Sequence, residues 1–414
     1  MMALIVAGEM IFTLPFVVAR VFRPTLLDVF GLTNLELGTA FSVYGIVAMA
    51  SYFPGGPLAD RFSARRLMTA ALVATALGGG VFATIPAVGT LTALYAFWGL
   101  TTILLFWAAL MRATREWGGE AAIGRAYGIL DGGRGLVSAL LASVMVAIFA
   151  GLLPTDVASA TMTQRSAAFG QVIWIFAGLT LAAAALVWIS IPEAKSAEDS
   201  QSQLTLAGIP QLLRMPSLWF QAVIIICGYV GFKSSDDFSL YARDAFGYDE
   251  VAAAQLGTVS FWVRPFAALG AGLLADRIGP SRIALMGFGT LIFGCFGLIF
   301  QPGIHWALVI TVAGTSLGIY AVRSIYYSLL GEARVPLAVT GGAIGLVSVI
   351  GYTPDVFMGP VMGYLLDRSP GALGHQHVFL FVAGSAVIGL IATLLFQRFA
   401  QTPPLRHWNV RASR

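Results

Sequence analysis

The chain has 414 residues, 58% of them hydrophobic and only 11% charged, with a formal net charge of +4 and a mean hydropathy of +0.83. Soluble domains carry roughly 25% charged residues, and no soluble fold has polar surface enough to cover this much apolar side chain. A soluble enzyme is excluded, the small positive excess is explained by topology without a nucleic-acid partner, and two cysteines, Cys227 and Cys295, each inside an apolar run, cannot build a disulfide framework.

Apolar runs of about 20 residues, the length that crosses a bilayer, follow one another along the chain. They predict helices at 1–22, 36–58, 67–88, 91–113, 123–150, 167–191, 217–242, 251–274, 283–301, 305–330, 338–364 and 375–397. The opening stretch MMALIVAGEMIFTLPFVVARVF lacks a basic leading region and a small-residue cleavage site, so it reads as the first span. Glu9 and Arg20 lie within it. The second and third spans are joined through Gly56-Pro57-Leu58-Ala59-Asp60-Arg61, followed by Arg65 and Arg66. Arg112 ends the fourth span, where it can snorkel to the interface. The glycine-rich junction WGGEAAIGRAYGILDGGRG at 117–135 leads into the fifth with Asp131, Gly132, Gly133, Arg134 and Gly135.

The polar stretch 192–216, rich in Ser, Gln, Glu and Pro, halves the chain and reads as a linker between units 1–191 and 217–400, with a tail at 401–414. The second half opens with Lys233, Asp236 and Asp237 in the seventh span and Arg264 in the eighth. Between the eighth and ninth spans stands Gly272-Leu273-Leu274-Ala275-Asp276-Arg277, followed by Gly279 and Arg282. The tenth carries Arg323 beside Tyr320, Tyr326 and Tyr327, and the eleventh carries Pro354-Asp355 and then Gly359, Pro360 and Gly363. His375 and His377 begin the twelfth; a histidine pair without nearby Cys or carboxylate partners in sequence is a poor metal site, and no metal or cofactor is expected.

With both termini on one side, the basic residues between and beyond the spans divide fourteen to four: Arg61, Arg65, Arg66, Arg115, Arg125, Lys195, Arg214, Arg277, Arg282, Arg334, Arg398, Arg406, Arg411 and Arg414 against Arg23, Arg165, Arg243 and Arg368. Basic loops stay cytoplasmic, so both termini are expected inside; a missed span would have inverted every later loop and spoiled the division. Two Lys against 22 Arg and no N-x-[ST] acceptor fit a bacterial inner membrane.

The GxLADR tract with trailing basic residues, present twice at the same place in a six-plus-six arrangement, marks an internal duplication. It resembles the loop signature of the major facilitator superfamily, and the resemblance covers essentially the whole chain. Ser63 and Ala64 stand where that pattern usually has Gly and Arg. The resemblance implies an all-α integral membrane fold of twelve transmembrane helices in two pseudo-symmetric six-helix bundles, working as a secondary transporter by alternating access. Gly56, Asp60, Arg61, Gly272, Asp276 and Arg277 would be its conformational latch: the glycines allow close helix approach, and the Asp–Arg pairs end a helix at the membrane surface. Arg20 and Lys233 sit near places where the family's organophosphate exchangers hold phosphate, displaced by about one helical turn.

A charge at bilayer depth is costly and usually faces a cavity or a partner. Arg134, Lys233, Arg264 and Arg323, with Arg20, Tyr320 and Tyr327, are the candidate ligands of a small polar solute; guanidinium groups beside tyrosines suit an anionic or polyhydroxylated one. Asp131, Asp355 and Glu9 are candidate proton carriers, Asp131 three residues from Arg134 and so placed to pair with it, and Asp355 placed to help satisfy backbone groups that Pro354 frees. Since residues 91–104 lack the Arg-containing motif associated with proton coupling, diffusion or exchange stays open, and the partners expected are the solute, protons or a counter-anion, and lipid, with a working monomer. The alternatives are a carrier of neutral sugars or drug-like solutes and, from another class, a membrane-embedded lipid-modifying enzyme. Against the enzyme, no Ser/His/Asp order, His/Asp metal cluster or phosphate loop is found.

Overall fold

In the computed structural model, which describes residues 1–119, 123–193, 212–301, 303–335 and 340–400, twelve helices are long and apolar enough to cross a membrane among the described residues. They are α1 (Met2–Val21), α2 (Asn34–Arg61), α3 (Ala64–Ala83), α4 (Val88–Gly118), α5 (Arg125–Leu152), α6 (Met162–Ser190), α7 (Pro216–Phe246), α8 (Glu250–Ile278), α9 (Pro280–Ile299), α10 (His305–Ser324), α11 (Gly342–Arg368) and α12 (Ala372–Ala400). The predicted tail and most of the predicted linker, with Lys195, Arg406, Arg411 and Arg414, lie outside the described residues.

All twelve predicted spans are present, and their ends differ for a local reason. Several helices begin before the apolar run because a polar cap starts them. Thr33 and Glu36 form a capping box ahead of α2, Thr161 and Gln164 form one ahead of α6, and the Asp249 carboxylate accepts from Ala252 N at 2.7 Å to start α8. The connection after α1 is itself a short helix, Arg23–Phe30, with Pro24 in its first turn and Gly31 at φ +63° closing it. The tenth helix, expected to run to 330, stops at Ser324 and passes through a turn at 325–328.

The packing repeats when each span is replaced by the one six places later. α3 lies on α6 as α9 lies on α12, and α2 lies on α4 as α8 lies on α10. The two halves meet along α2–α11 and α5–α8, which the same replacement exchanges. Polarity runs opposite to that of a soluble protein. Phe53, Phe293 and Ile189 are 72%, 82% and 82% exposed on the outer belt, whereas Glu9, Arg20, Lys233 and Asp236 are at most 6% exposed inside. Lipid accepts the former, and only the interior offers the latter partners.

Among the described residues, five spans are broken: α4 carries a π-helical stretch, Leu100–Trp107, and in the other four a residue competes with the helix. Pro15, which has no N–H, lies in a π-helical stretch, Thr13–Val17, in α1. In α7, Ser234 and Ser235 turn their hydroxyls back to Gly231 O and Phe232 O, and the run Ser235–Asp237 is 3-10. α10 ends in the 325–328 turn, and α11 is interrupted by a turn at 352–353 just before Pro354. Two carbonyls near the breaks find side-chain donors: Tyr95 OH donates to Pro15 O at 2.9 Å, and Gln221 Nε2 to Tyr326 O at 2.8 Å.

The α2–α11 seam depends on glycine. A Cβ on Gly45 would lie 2.5 Å from Asp355 O, one on Gly359 2.5 Å from Gly38 O, and one on Gly363 2.5 Å from Leu35 Cα. Gly133 is similarly tight against Ile5, so Gly133, Gly359 and Gly363 among the small residues foreseen in the fifth and eleventh spans are points of close approach, whereas Gly135 makes only ordinary contact with Arg264 and Gly132 faces open space. Gly359→Val should therefore leave a folded protein whose α2–α11 seam cannot close. Spin labels at Thr155 and Leu373, in separate halves, would report it as a shift to longer distance by pulsed EPR; an unchanged distance would refute this account of the seam. Cys227 and Cys295 are 4% and 0% exposed and do not compete for label.

Candidate functional site

The end of the bundle bearing the loops after the odd-numbered spans, poor in basic residues, is where the halves are joined by polar contacts. Asp367 at the end of α11 accepts from Asn34 N and Asn34 Nδ2 at 3.1 Å and from Leu35 N at 2.8 Å. One carboxylate thus covers the positive N-terminus of a helix in the other half. Arg243 Nη1 donates to Asp28 Oδ2 at 2.7 Å, and Arg165 pairs with Glu250 at 3.0 Å. Behind them His375 lies between Asp237 Oδ2 (2.7 Å) and Asp244 Oδ2 (3.2 Å), fully buried; among the described residues no group of three or more His, Cys, Asp or Glu could hold a metal.

Of the four basic residues predicted for loops at this end, Arg165 and Arg243 are thus inter-half contacts. Arg23 is 2% exposed and donates to Asn34, while Arg368 bonds Tyr364. At the opposite, Arg-rich end, Arg65 and Arg66 pair with Glu193 just past the sixth span, and Arg112, half-buried, pairs with Glu116 and donates to Ala59 O, so none of these contacts reaches the second half.

Deeper in, the sequence-predicted charges converge. Asp236 is 5% exposed and shared: Arg20 Nε lies 2.5 Å from Oδ1 and Lys233 Nζ 3.6 Å from Oδ2. Arg20 comes from α1 and Lys233 from α7, so this carboxylate ties the halves together. Lys233 also lies 3.4 Å from Asp355 Oδ1 and faces the rings of Phe16 and Phe41.

A second network joins Glu9 to Arg134 (3.4 Å) and Arg264 (3.7 Å), and Arg264 to Asp131 (3.6 Å). The expected Asp131–Arg134 pair is replaced by Arg134–Glu9, because Arg264 reaches Asp131 from α8 while Arg134 Nε turns to Gly8 O at 3.0 Å. Asp355 does not satisfy backbone freed by Pro354; its carboxylate accepts from Tyr229 OH at 3.0 Å and pairs with Lys233.

Arg323 differs from the other basic side chains that the sequence places inside the spans and not in the loops. Arg20, Arg112, Arg134, Lys233 and Arg264 each have a carboxylate within 4.0 Å, whereas Arg323 has none among the described residues. Its Nη1 is buried without a hydrogen-bond partner. Its guanidinium carbon sits 3.8 Å from the Phe232 ring centre and 5.5 Å from that of Tyr229. Five central cations, Arg20, Arg134, Lys233, Arg264 and Arg323, thus face four central carboxylates, Glu9, Asp131, Asp236 and Asp355.

Of the candidate tyrosines, Tyr320 is 2% exposed with its hydroxyl 3.3 Å from Ser260, part of the wall behind the site. Tyr327 is 38% exposed and bonds Ser348 and Tyr352. Sequence reasoning missed Tyr229, Ser348, Tyr352 and Asp367; the spacing 348, 352, 355 along one helix face was the available signal.

The predicted latch residues lie at the Arg-rich end. Asp60, Arg61, Asp276 and Arg277 are exposed there. Gly56 and Gly272 have no atom within 4 Å of where a Cβ would stand, so the close approach expected of them is not made in this conformation.

A twelve-helix bundle with a charged interior between two related halves is the architecture of a membrane transporter. The chain belongs to the major facilitator superfamily, whose family model matches residues 5–352. It is 28% identical over 386 residues to inner membrane protein YqcE of Escherichia coli K12, covering 89% of this chain and 87% of that one. It is 25% identical over 417 residues to inner membrane protein YihN of the same organism, covering 96% and 95%. Among solved structures, a mutant of the nucleoside transporter NupG superposes with a TM-score of 0.75 at 14% identity over 95% of this chain and 98% of that one. A D-xylose-proton symporter superposes with 0.74 at 15% identity over 97% of each. At such identities the likeness is one of fold. The chain is a multi-pass membrane transporter, and the two Escherichia coli relatives are named inner membrane proteins.

Asp236→Asn should lower stability by about 3–5 kcal/mol, since removing one member of a buried ion cluster strands the others. Thermal unfolding in detergent should show it, and replacing Arg20, Lys233 and Asp236 together by Met, Met and Leu should restore much of the loss. A single variant as stable as wild type would mean that Asp236 is not what holds these cations.

Proposed function

We propose that this transporter moves a small anionic solute across the inner membrane by alternating access between units 1–191 and 217–400, with Arg323 as the anchor for the anion. The observation that carries this reading is the isolation of Arg323: a partly buried guanidinium whose Nη1 is buried without a partner, facing aromatic rings and tyrosine hydroxyls, with no carboxylate to neutralise it among the described residues. Leaving a buried charge unmatched is costly, and an incoming carboxylate, sulfonate or phosphate removes that cost with charge-assisted hydrogen bonds. Lys233, Arg20, Arg134 and Arg264 set the positive surroundings while held by their own carboxylates. The Arg-rich end is taken as cytoplasmic with both termini there, so the joined Arg-poor end makes this an inward-facing arrangement of a carrier working as a monomer.

The test is thermal stabilisation of the purified protein by lactate, gluconate and glucose 6-phosphate, with glucose and uridine as neutral controls. At least one anion should stabilise wild type, and Arg323→Gln should weaken its binding by about tenfold to a hundredfold, the worth of a charged hydrogen bond. Stabilisation by neutral solutes alone would overturn the anion reading.

For coupling, Asp355 is the proposed proton carrier, because Lys233 can exchange it for the second carboxylate it already touches, Asp236. Glu9 and Asp131 are held by arginines instead, Glu9 by two and Asp131 by Arg264. In proteoliposomes, Asp355→Asn should abolish accumulation of the stabilising anion under an imposed pH gradient while equilibrium exchange continues. Persistent gradient-driven accumulation would remove Asp355 from that role.

A further inference from the structure

The anion reading leaves unexplained why hydroxyl groups gather beside Arg323. Arg323 and Tyr327 are four residues apart across the turn that ends α10, and they face a stripe on α11 made by Ser348, Tyr352 and Asp355, spaced four and three residues apart. Tyr327 OH lies 2.9 Å from Ser348 Oγ and 2.8 Å from Tyr352 OH. The Tyr352 ring packs edge-on against Tyr229 at 5.0 Å, and the Tyr229 hydroxyl donates to Asp355. Tyr52 of α2 is within electrostatic range of Asp355, Tyr327 and Arg323 from the other half.

Counting protons gives this arrangement its meaning. Ser348, Tyr327 and Tyr352 carry three O–H donors, and their two mutual bonds use two of them. One donor and several lone pairs remain, so the trio can both give a hydrogen bond and accept one. A substrate hydroxyl requires that pairing, and neither a plain carboxylate nor a hydrocarbon does. Tyr327 is 38% exposed, Ser348 and Tyr352 are half-buried, and the Asp355 side chain is 18% exposed, so these groups front accessible space while Tyr320 behind them is packed away.

Charge limits the anion further. Only one central cation, Arg323, is unmatched among the described residues, and Lys233 is already held by Asp236 and Asp355, so a dianion would bring a second negative charge that nothing neutralises.

We propose that the solute is a polyhydroxylated monoanion of the sugar-acid class, with its carboxylate or sulfonate on Arg323 and its hydroxyls read by Tyr327, Ser348, Tyr352 and Asp355. This rests on the anion reading above and narrows it. A site built to bond a hydroxyl rejects the analogue lacking it, because its own polar groups are left unpaired when the site closes. A neutral sugar satisfies the hydroxyl trio and leaves Arg323 uncompensated.

Titration calorimetry on the purified full-length protein separates the cases with five probes: gluconate, glucuronate, hexanoate, glucose and glucose 6-phosphate. A sugar acid should bind at least about tenfold more tightly than hexanoate, glucose or the phosphate ester. Tyr327→Phe, which removes one hydroxyl and keeps the ring, should erase most of that advantage without changing hexanoate binding; Ser348→Ala serves as the second variant should the first fold poorly. Hexanoate binding as tightly as gluconate, the phosphate ester binding most tightly, or neither sugar acid binding would each overturn the proposal. The first two of these would leave the anion reading standing, whereas binding of glucose with no anion at all would overturn that reading as well.

Discussion

The carboxylate of Asp236 meets a cation from each half of the molecule, Arg20 on one oxygen and Lys233 near the other, in a place where water is scarce. In such surroundings an unmatched ionised side chain is costly, so most of the charges in the centre are balanced locally. Two consequences follow from that constraint. The halves are joined through a carboxylate of one and a guanidinium of the other, and the remaining balance leaves Arg323 as the one central cation without a carboxylate among the described residues.

Backbone irregularity and buried charge coincide along the chain. The breaks in α1, α7, α10 and α11 lie within a few residues of Arg20, Lys233 with Asp236, Arg323 and Asp355 respectively. Helix irregularity at bilayer depth is tolerated where protein or a polar cavity can satisfy the freed groups. The breaks therefore mark the polar centre as plainly as the charges do. The glycine seam of α2 and α11 supplies the complementary feature: backbones in direct contact, with no side chains interlocked at Gly38, Gly45, Gly359 and Gly363.

Similarity to carriers as different as a nucleoside transporter and a sugar–proton symporter, at about 15% identity, shows how little the shared fold says about cargo. What distinguishes this chain is the particular set of groups on α10 and α11, where a guanidinium, three linked hydroxyls and a carboxylate face one another. The outer contacts are a separate matter. Asp367 on the N-terminus of α2, Arg243 on Asp28 and Arg165 on Glu250 are exposed or partly exposed pairs, individually weak, and suited to being broken and remade.

The amino-acid sequence by itself determined the number of spans, the duplication and the list of charges placed at bilayer depth. Each depends on patterns local to some twenty residues: apolar length, a repeated GxLADR tract, a lone Arg or Asp in an apolar run. Helix ends were less legible because polar caps extend helices past the apolar run, as at Thr33 and Asp249. Which charges pair was decided only by the tertiary structure. Asp131 and Arg134 are neighbours on one helix face, yet Arg264 takes the first and Glu9 the second, since inter-helix distance sets the Coulomb energy and sequence separation does not. For the same reason Arg323 could not be told from Arg134, Lys233 or Arg264 until the carboxylates of the other helices were in place around it.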